Sequence, residues 1–169
     1  LMADLTKEQH IENINKVIEG IKYAMMTTIT ADEKHLHACP MTTNKNELEN
    51  GKIWFIGDRK SETIKDLEKN PQVNLSYTSS DQKDFVSING TAKLVNDKAK
   101  LDELWSPIYA AFYEKGKEDP NVQVICIECN GAQYWLSGNT VVDMFKMVSA
   151  AVQEGKTAEN MGENHAVTF

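Results

Sequence analysis

The chain has 169 residues, 41% of them apolar and 25% charged, with a formal net charge of −7. That length fits one domain with its own core; the negative balance opposes binding to nucleic-acid phosphates, and no apolar run approaches the roughly 18 residues that span a bilayer. Arg59 is the single arginine among 18 cationic side chains, so a bidentate clamp on phosphate or carboxylate is available at one position only.

In chain order, residues 5–22 set Ile11, Ile14, Val17, Ile18 and Ile21 at helical spacing behind the capping-box pair Thr6 and Gln9. Residues 23–30 and 36–43 read as two strands joined by the turn Ala31-Asp32-Glu33-Lys34. A third strand, 52–56, follows the turn pair Asn50-Gly51 and is expected to form a hairpin with residues 38–44. Ser61 then caps a short helix carrying Ile64 and Leu67, which Asn70-Pro71 stops before a fourth strand at 72–78.

Residues 85–95 read as a long strand with Phe85, Ile88 and Leu94 in the core and Gly90 at a bulge or close approach. Asp97 caps a helical stretch, 98–114, that Pro107 interrupts. A last hairpin is expected between 122–129 and 132–137 across Asn130-Gly131, and a closing helix at 140–153. Residues 1–155 thus form one domain, and 156–169, polar and without an apolar stripe, are expected to fray. Six or seven hairpin-linked strands with peripheral helices describe a closed or nearly closed antiparallel barrel.

Several positions could carry chemistry. The open N–H groups of the helix at Ser61, beside Arg59, Lys60 and Lys65, offer an anion site; the alternative is an ordinary capped crossover helix. Cys126 and Cys129 are spaced as Cys-x-x-Cys but fall in a strand, where positions three apart face opposite sides, so neither zinc nor a disulfide is expected. With Cys39 they make an odd set of three that suits reduced thiols. His35 and His37 share a strand face without a third ligand, which favours a solvated hairpin face over a metal. Trp54, Trp105 and Trp135 lie where they could cover a flat ligand or pack in the core. No P-loop, Gly-x-Ser-x-Gly or dinucleotide fingerprint is present.

Taken in order, Ala38-Cys39-Pro40-Met41, Gly51-Lys52-Ile53-Trp54-Phe55, the run 61–73, Val86-Ser87-Ile88-Asn89-Gly90-Thr91-Ala92, Glu103-Leu104-Trp105-Ser106-Pro107, Glu118-Asp119-Pro120 and Gln133-Tyr134-Trp135 form a recognisable series. The chain resembles the flavin-binding split barrels of the pyridoxamine 5′-phosphate oxidase superfamily, and within them the general stress protein 26 branch. The resemblance implies a mainly β, antiparallel split barrel and a homodimer with FMN in grooves between subunits; the polar, charged stretch 1–14, which does not read as a secretory signal, makes the cytoplasm the expected address. It also implies flavin contacts at Cys39, Met41, Thr42, Phe55, Ile56, Gly57, Asp58, Ser61, Thr63 and Lys65, with Trp105 approaching the ring.

Three departures from the family pattern stand out. Cys39 occupies the place of a phosphate-binding Arg, and Ser61-Glu62-Thr63 that of Ser-Arg-Lys, leaving Arg59, Lys60 or Lys65 to substitute. No Trp-Arg-His substrate clamp follows Trp135, so oxidation of pyridoxamine phosphate is not expected. Two functions follow from the resemblance: a flavin-dependent oxidoreductase of unknown substrate with FMN as cofactor, or a non-enzymatic module that stores a flavin or another planar ligand, such as a deazaflavin or haem.

Overall fold

The computed structural model describes residues 5–42, 45–138 and 163–169. Its elements are α1 (Lys7–Ile18), β1 (Tyr23–Ile29), β2 (Leu36–Thr42), β3 (Lys52–Asp58), α2 (Glu62–Lys69), β4 (Gln72–Thr78), β5 (Phe85–Val95), α3 (Lys98–Leu104), β6 (Val122–Leu136) and β7 (Glu163–Thr168). Two short 3-10 turns, Pro107–Ala111 and Gly116–Glu118, connect α3 to β6. The closing helix expected at 140–153 lies outside the described residues.

All seven strands pair antiparallel in the order β2-β1-β4-β5-β6-β3, with β7 also on β6. The sheet curls but does not close, because among the described residues no ladder joins β2 to β3. Here the fold departs from the hairpin expected between 38–44 and β3. The Asn50-Gly51 turn itself forms, with φ of 51° and 72°, but it reverses only the short bridge Glu49–Lys52, and β3 then pairs with β6. β2 carries Pro40, which has no N–H to give a further strand, so it stays an edge.

The second departure is at Asn130-Gly131. Neither residue has positive φ, and β6 runs straight through as a 15-residue strand rather than turning. Its first half lies between β5 and β3 and its second between β5 and β7. Asn89 pairs with Gly131 while Gly90 pairs with Cys129, so Asn130 is the extra residue of a bulge. Gly90 is needed there: a Cβ would lie 2.6 Å from the Glu128 carbonyl oxygen. Pairing with β6 also orders Glu163–Thr168, within the segment expected to fray, since β6 presents it a free edge beyond β3.

The barrel core gathers Met26, Phe55, Leu75, Ile88, Ile125 and Ile127, all fully buried, and α1 covers it with Ile14, Val17 and Ile18. The capping box at Thr6 and Gln9 is formed. Phe85, expected in the core, is 41% exposed, because Val86 and Ile88 take the inward parity of β5. A second cluster joins Ile56, Leu104, Tyr109, Tyr113, Val122 and Val124 outside the barrel. Among the described residues no helix is long and apolar enough to cross a membrane.

Candidate functional site

The open seam between β2 and β3 is a cleft of about 400 Å³. One wall is the β2 segment Cys39, Pro40, Met41 and Thr42, with Tyr23 beside it. The floor is the end of β3, Ile56, Gly57 and Asp58, with Ile125 of β6. A Cβ on Gly57 would come 3.0 Å from the Ile125 Cδ1, so the absence of a side chain here keeps the floor low. Ser61, Thr63 and Ile64 of the α2 start form one end, and Tyr109, Phe112 and Tyr113 the aromatic wall.

The α2 start is a regular N-cap. Ser61 is extended at φ −68° and ψ 154°, and its Oγ accepts from the Ile64 N–H at 3.3 Å. Asp58 arranges the turn before it: its carboxylate accepts from the Lys60 N–H at 2.8 Å and its carbonyl from the Ser61 N–H at 2.9 Å. The first two N–H groups of the helix, those of Glu62 and Thr63, have no intrahelical acceptor by geometry.

The neighbouring cations do not join this end of the cleft. Arg59 directs Nη2 to the Asn96 Oδ1 at 3.4 Å, and its N–H to the Asn121 carbonyl. Lys65 holds the Glu62 carboxylate at 2.6 Å on the exposed side of α2. Neither they nor Lys60 line the cleft, and Asp58 is the one Asp, Glu, Lys or Arg among the described residues that does.

The aromatic wall is braced from behind. Trp105 packs its ring 5.5 Å from that of Tyr109 and 6.1 Å from that of Tyr113, so it backs the wall and does not line the cleft. Burial, and after it the negative charge of Asp58, pushes the Tyr113 hydroxyl up to about 12, which leaves it a neutral donor. Phe112 is 72% exposed at the mouth.

Of the residues singled out in the sequence, the cleft brings together Cys39, Met41, Thr42, Ile56, Gly57, Asp58, Ser61 and Thr63. Phe55 points into the barrel core instead, Lys65 pairs with Glu62, and Trp105 stands behind the wall. Trp54 lies under the Lys100 ammonium at 4.8 Å, and Trp135 faces out opposite Phe85. Sequence reasoning missed Tyr23, Ile64, Ile125 and above all Tyr109, Phe112 and Tyr113, whose spacing after Pro107 was the available signal.

Beside the cleft, on the other side of α2, Asp66 is 3% exposed. It accepts from the Thr28 hydroxyl at 2.8 Å, the Ala31 N–H at 2.9 Å and the His37 Nδ1 at 3.0 Å. Burial raises its pKa, and the bonds from Thr28, His37 and Ala31 outweigh that and hold the carboxyl below the usual range. The carboxylate therefore fastens α2 to β1, the hairpin turn and β2. His37 belongs to this anchor, not to the solvated face expected for it.

Comparison with known proteins follows the same lines. The family described as "Pyridoxamine 5′-phosphate oxidase like" matches residues 9–158. A general stress FMN/FAD binding protein from Xanthomonas citri is 31% identical, with a TM-score of 0.68 over 80% of this chain and 93% of that one. A general stress protein 26 from Jannaschia sp. CCS1 shares the fold, with a TM-score of 0.70 at 20% identity over 94% and 97% of the two chains. Protein bli-3 of Neurospora crassa is 26% identical over 166 residues, 94% of this chain and 79% of its own length. A seam-opened antiparallel barrel with its cleft between β2 and β3, matched by a family profile over most of its length, places the chain in the pyridoxamine 5′-phosphate oxidase like family, where it is similar to the general stress proteins.

Proposed function

We propose that the cleft binds the flat ring of a flavin and that the protein is a flavin-binding general stress protein. The observation that carries this reading is the shape and lining of the seam: about 400 Å³, within the roughly 300–1,000 Å³ of small-molecule sites, with a side-chain-free floor at Gly57 and a wall of Tyr109, Phe112 and Tyr113. The related Xanthomonas citri protein, named for FMN/FAD binding, supports it. The lining fits the ring system: Ile56, Ile125 and Met41 supply apolar contact, and the tyrosine hydroxyls and main chain supply polar groups at its edge. It does not fit the phosphate as well, since no side-chain cation lines the cleft among the described residues.

A bound flavin supplies two-electron chemistry of its own. The residues of this chain would orient the ring, shield one side of it with the aromatic wall and leave the Phe112 side open to solvent. That open mouth supports an oxidoreductase in which a second small molecule reaches the ring. The missing cation supports the second reading, a non-enzymatic store of flavin or of another planar ligand. We read the protein further as cytoplasmic, and as a homodimer because Tyr23, Ile108 and Phe112 leave large apolar surface uncovered on the cleft wall and the adjoining 3-10 segment; sedimentation at only the 19.0 kDa chain mass contradicts the dimer.

The test is the absorption spectrum of the purified protein and its response to NAD(P)H. Flavin bands that bleach with reduced nicotinamide and recover in air support the oxidoreductase. Bands that stay unchanged support the store. Failure to take up any flavin contradicts the oxidoreductase and the flavin store, and leaves only a store of another planar ligand.

A further inference from the structure

We infer that the cleft discriminates against phosphate, so that its ligand is an unphosphorylated flavin, of which riboflavin is the type, and not FMN or FAD. This rests on the flavin reading of the cleft and adds the ligand class to it. The ring is common to all three ligands, so the preference among them is decided at the α2 end of the cleft, where a phosphate would have to sit.

Three features of that end oppose an anion. The first is charge: Asp58 is a carboxylate in the lining, while Arg59 is turned to Asn96 and Lys65 is neutralised by Glu62 at 2.6 Å. Lys22, beside the Tyr23 rim, lies over the Tyr23 ring at 5.3 Å and is not part of the lining. The second is donor supply. The turn N–H groups that would cradle a phosphate are already taken within the chain: that of Lys60 by the Asp58 carboxylate, that of Ser61 by the Asp58 carbonyl and that of Ile64 by the Ser61 Oγ. Asp58 therefore occupies the place of the anion in its own turn. The third is balance. A helix N-terminus is equivalent to about half a positive charge, against a full negative charge on Asp58 and about −1.5 to −2 on a phosphate monoester at neutral pH.

What remains for a phosphate, among the described residues that line the cleft, is the Glu62 and Thr63 N–H groups and two neutral hydroxyls, with no lining cation to offset its desolvation. The ribityl chain of riboflavin asks only for such neutral donors and acceptors. Ring burial then supplies the affinity, and the phosphate adds none.

The test is a fluorescence titration of the purified, flavin-free protein with riboflavin, FMN and FAD at low and physiological salt. The expected result is that riboflavin binds at least as tightly as FMN or FAD, and that salt, by screening repulsion, narrows the gap. Asp58→Asn, which keeps the acceptor for the Lys60 N–H, should move the FMN-to-riboflavin affinity ratio toward FMN by about two- to fivefold, the size of an exposed charge pair. Cys39→Arg, placing a cation on the β2 wall, should move it the same way by about tenfold or more. Circular dichroism checks that both variants fold, and the ratio, being internal to each protein, is read on whichever does. FMN or FAD bound more tightly than riboflavin by the unaltered protein overturns this inference while leaving the flavin reading intact, as does a ratio unmoved by both substitutions. Binding of none of the three overturns the flavin reading and the inference with it.

Discussion

Helix α2 has two sides, and they are built on opposite rules. On one side Asp66 is buried and receives three hydrogen bonds, from Thr28, Ala31 and His37, so both of its oxygens are engaged inside the chain. On the other side Ser61 and Thr63 face a cleft whose Asp58 carboxylate is exposed and takes a single N–H. Two carboxylates eight positions apart thus do different work: Asp66 fixes where the helix lies, and Asp58 sets the charge of what the helix end meets. The comparison teaches that the site can hold its shape through changes of ligand, because the anchor shares no residue with the cleft lining.

The largest effect should come from breaking the anchor. Asp66→Ala strands the Ala31 N–H and leaves the Thr28 hydroxyl only the His37 carbonyl at 3.4 Å, and should cost about 3 kcal/mol of stability in denaturant unfolding, as loss of a buried charged partner does. A loss below about 1 kcal/mol would mean that α2 is held by Ile64 and Leu67 alone.

Acid should sharpen the same contrast. The Asp66 carboxyl is depressed in the folded protein, so its contribution is fully present above its unfolded value of about 3.9 and is lost as pH falls below that through the folded value. The stability difference between the unaltered protein and Asp66→Asn should therefore be present at neutral pH and shrink below about pH 4. A difference that persists unchanged at pH 2 to 3, roughly one unit under that value, contradicts the assignment.

On the cleft side the expected changes are in binding, not stability. Phe112→Ala removes an exposed ring from the mouth, and should weaken riboflavin binding by about two- to tenfold, the worth of one aromatic contact. Its unfolding free energy should stay within about 0.5 kcal/mol, as for other exposed positions. Stability lost without affinity would place Phe112 in a packing role.

The smallest effect concerns the thiols. Burial pushes the Cys129 thiol up to about 12 and raises that of Cys126, whereas Cys39 stands half-buried in the cleft wall. A thiol reagent should modify Cys39 first and the other two only on unfolding. Early loss of Cys126 or Cys129 would show that β6 opens more readily than its three neighbouring strands allow.

How much of this was legible in the sequence depends on range. Local signals held: the caps at Thr6, Ser61 and Asp97 and the Pro107 interruption form where they were read. Pairing over long range did not announce itself. The dipeptide Asn-Gly occurs twice, at 50–51 with left-handed backbone and at 130–131 in extended strand, because only the second is held by ladders on both sides. The same limit hid that β3 pairs with β6 rather than β2, and so hid the seam that makes the cleft. In the site, strand-end residues from Ile56 to Asp58 and the capped helix start were visible as a local motif. The direction of long side chains was not, which is why Arg59 and Lys65 were read as neighbours of Ser61 when their partners are Asn96 and Glu62.

The most direct test of the account is one experiment with two readouts: titrate the protein with riboflavin, and in the same samples follow the reaction rate of Cys39. If the flavin ring lies in the seam between β2 and β3, fluorescence should saturate at one flavin per chain and Cys39 should become protected in step with it. Saturation with Cys39 still fully reactive would put the flavin elsewhere on the molecule, and no saturation would remove it altogether.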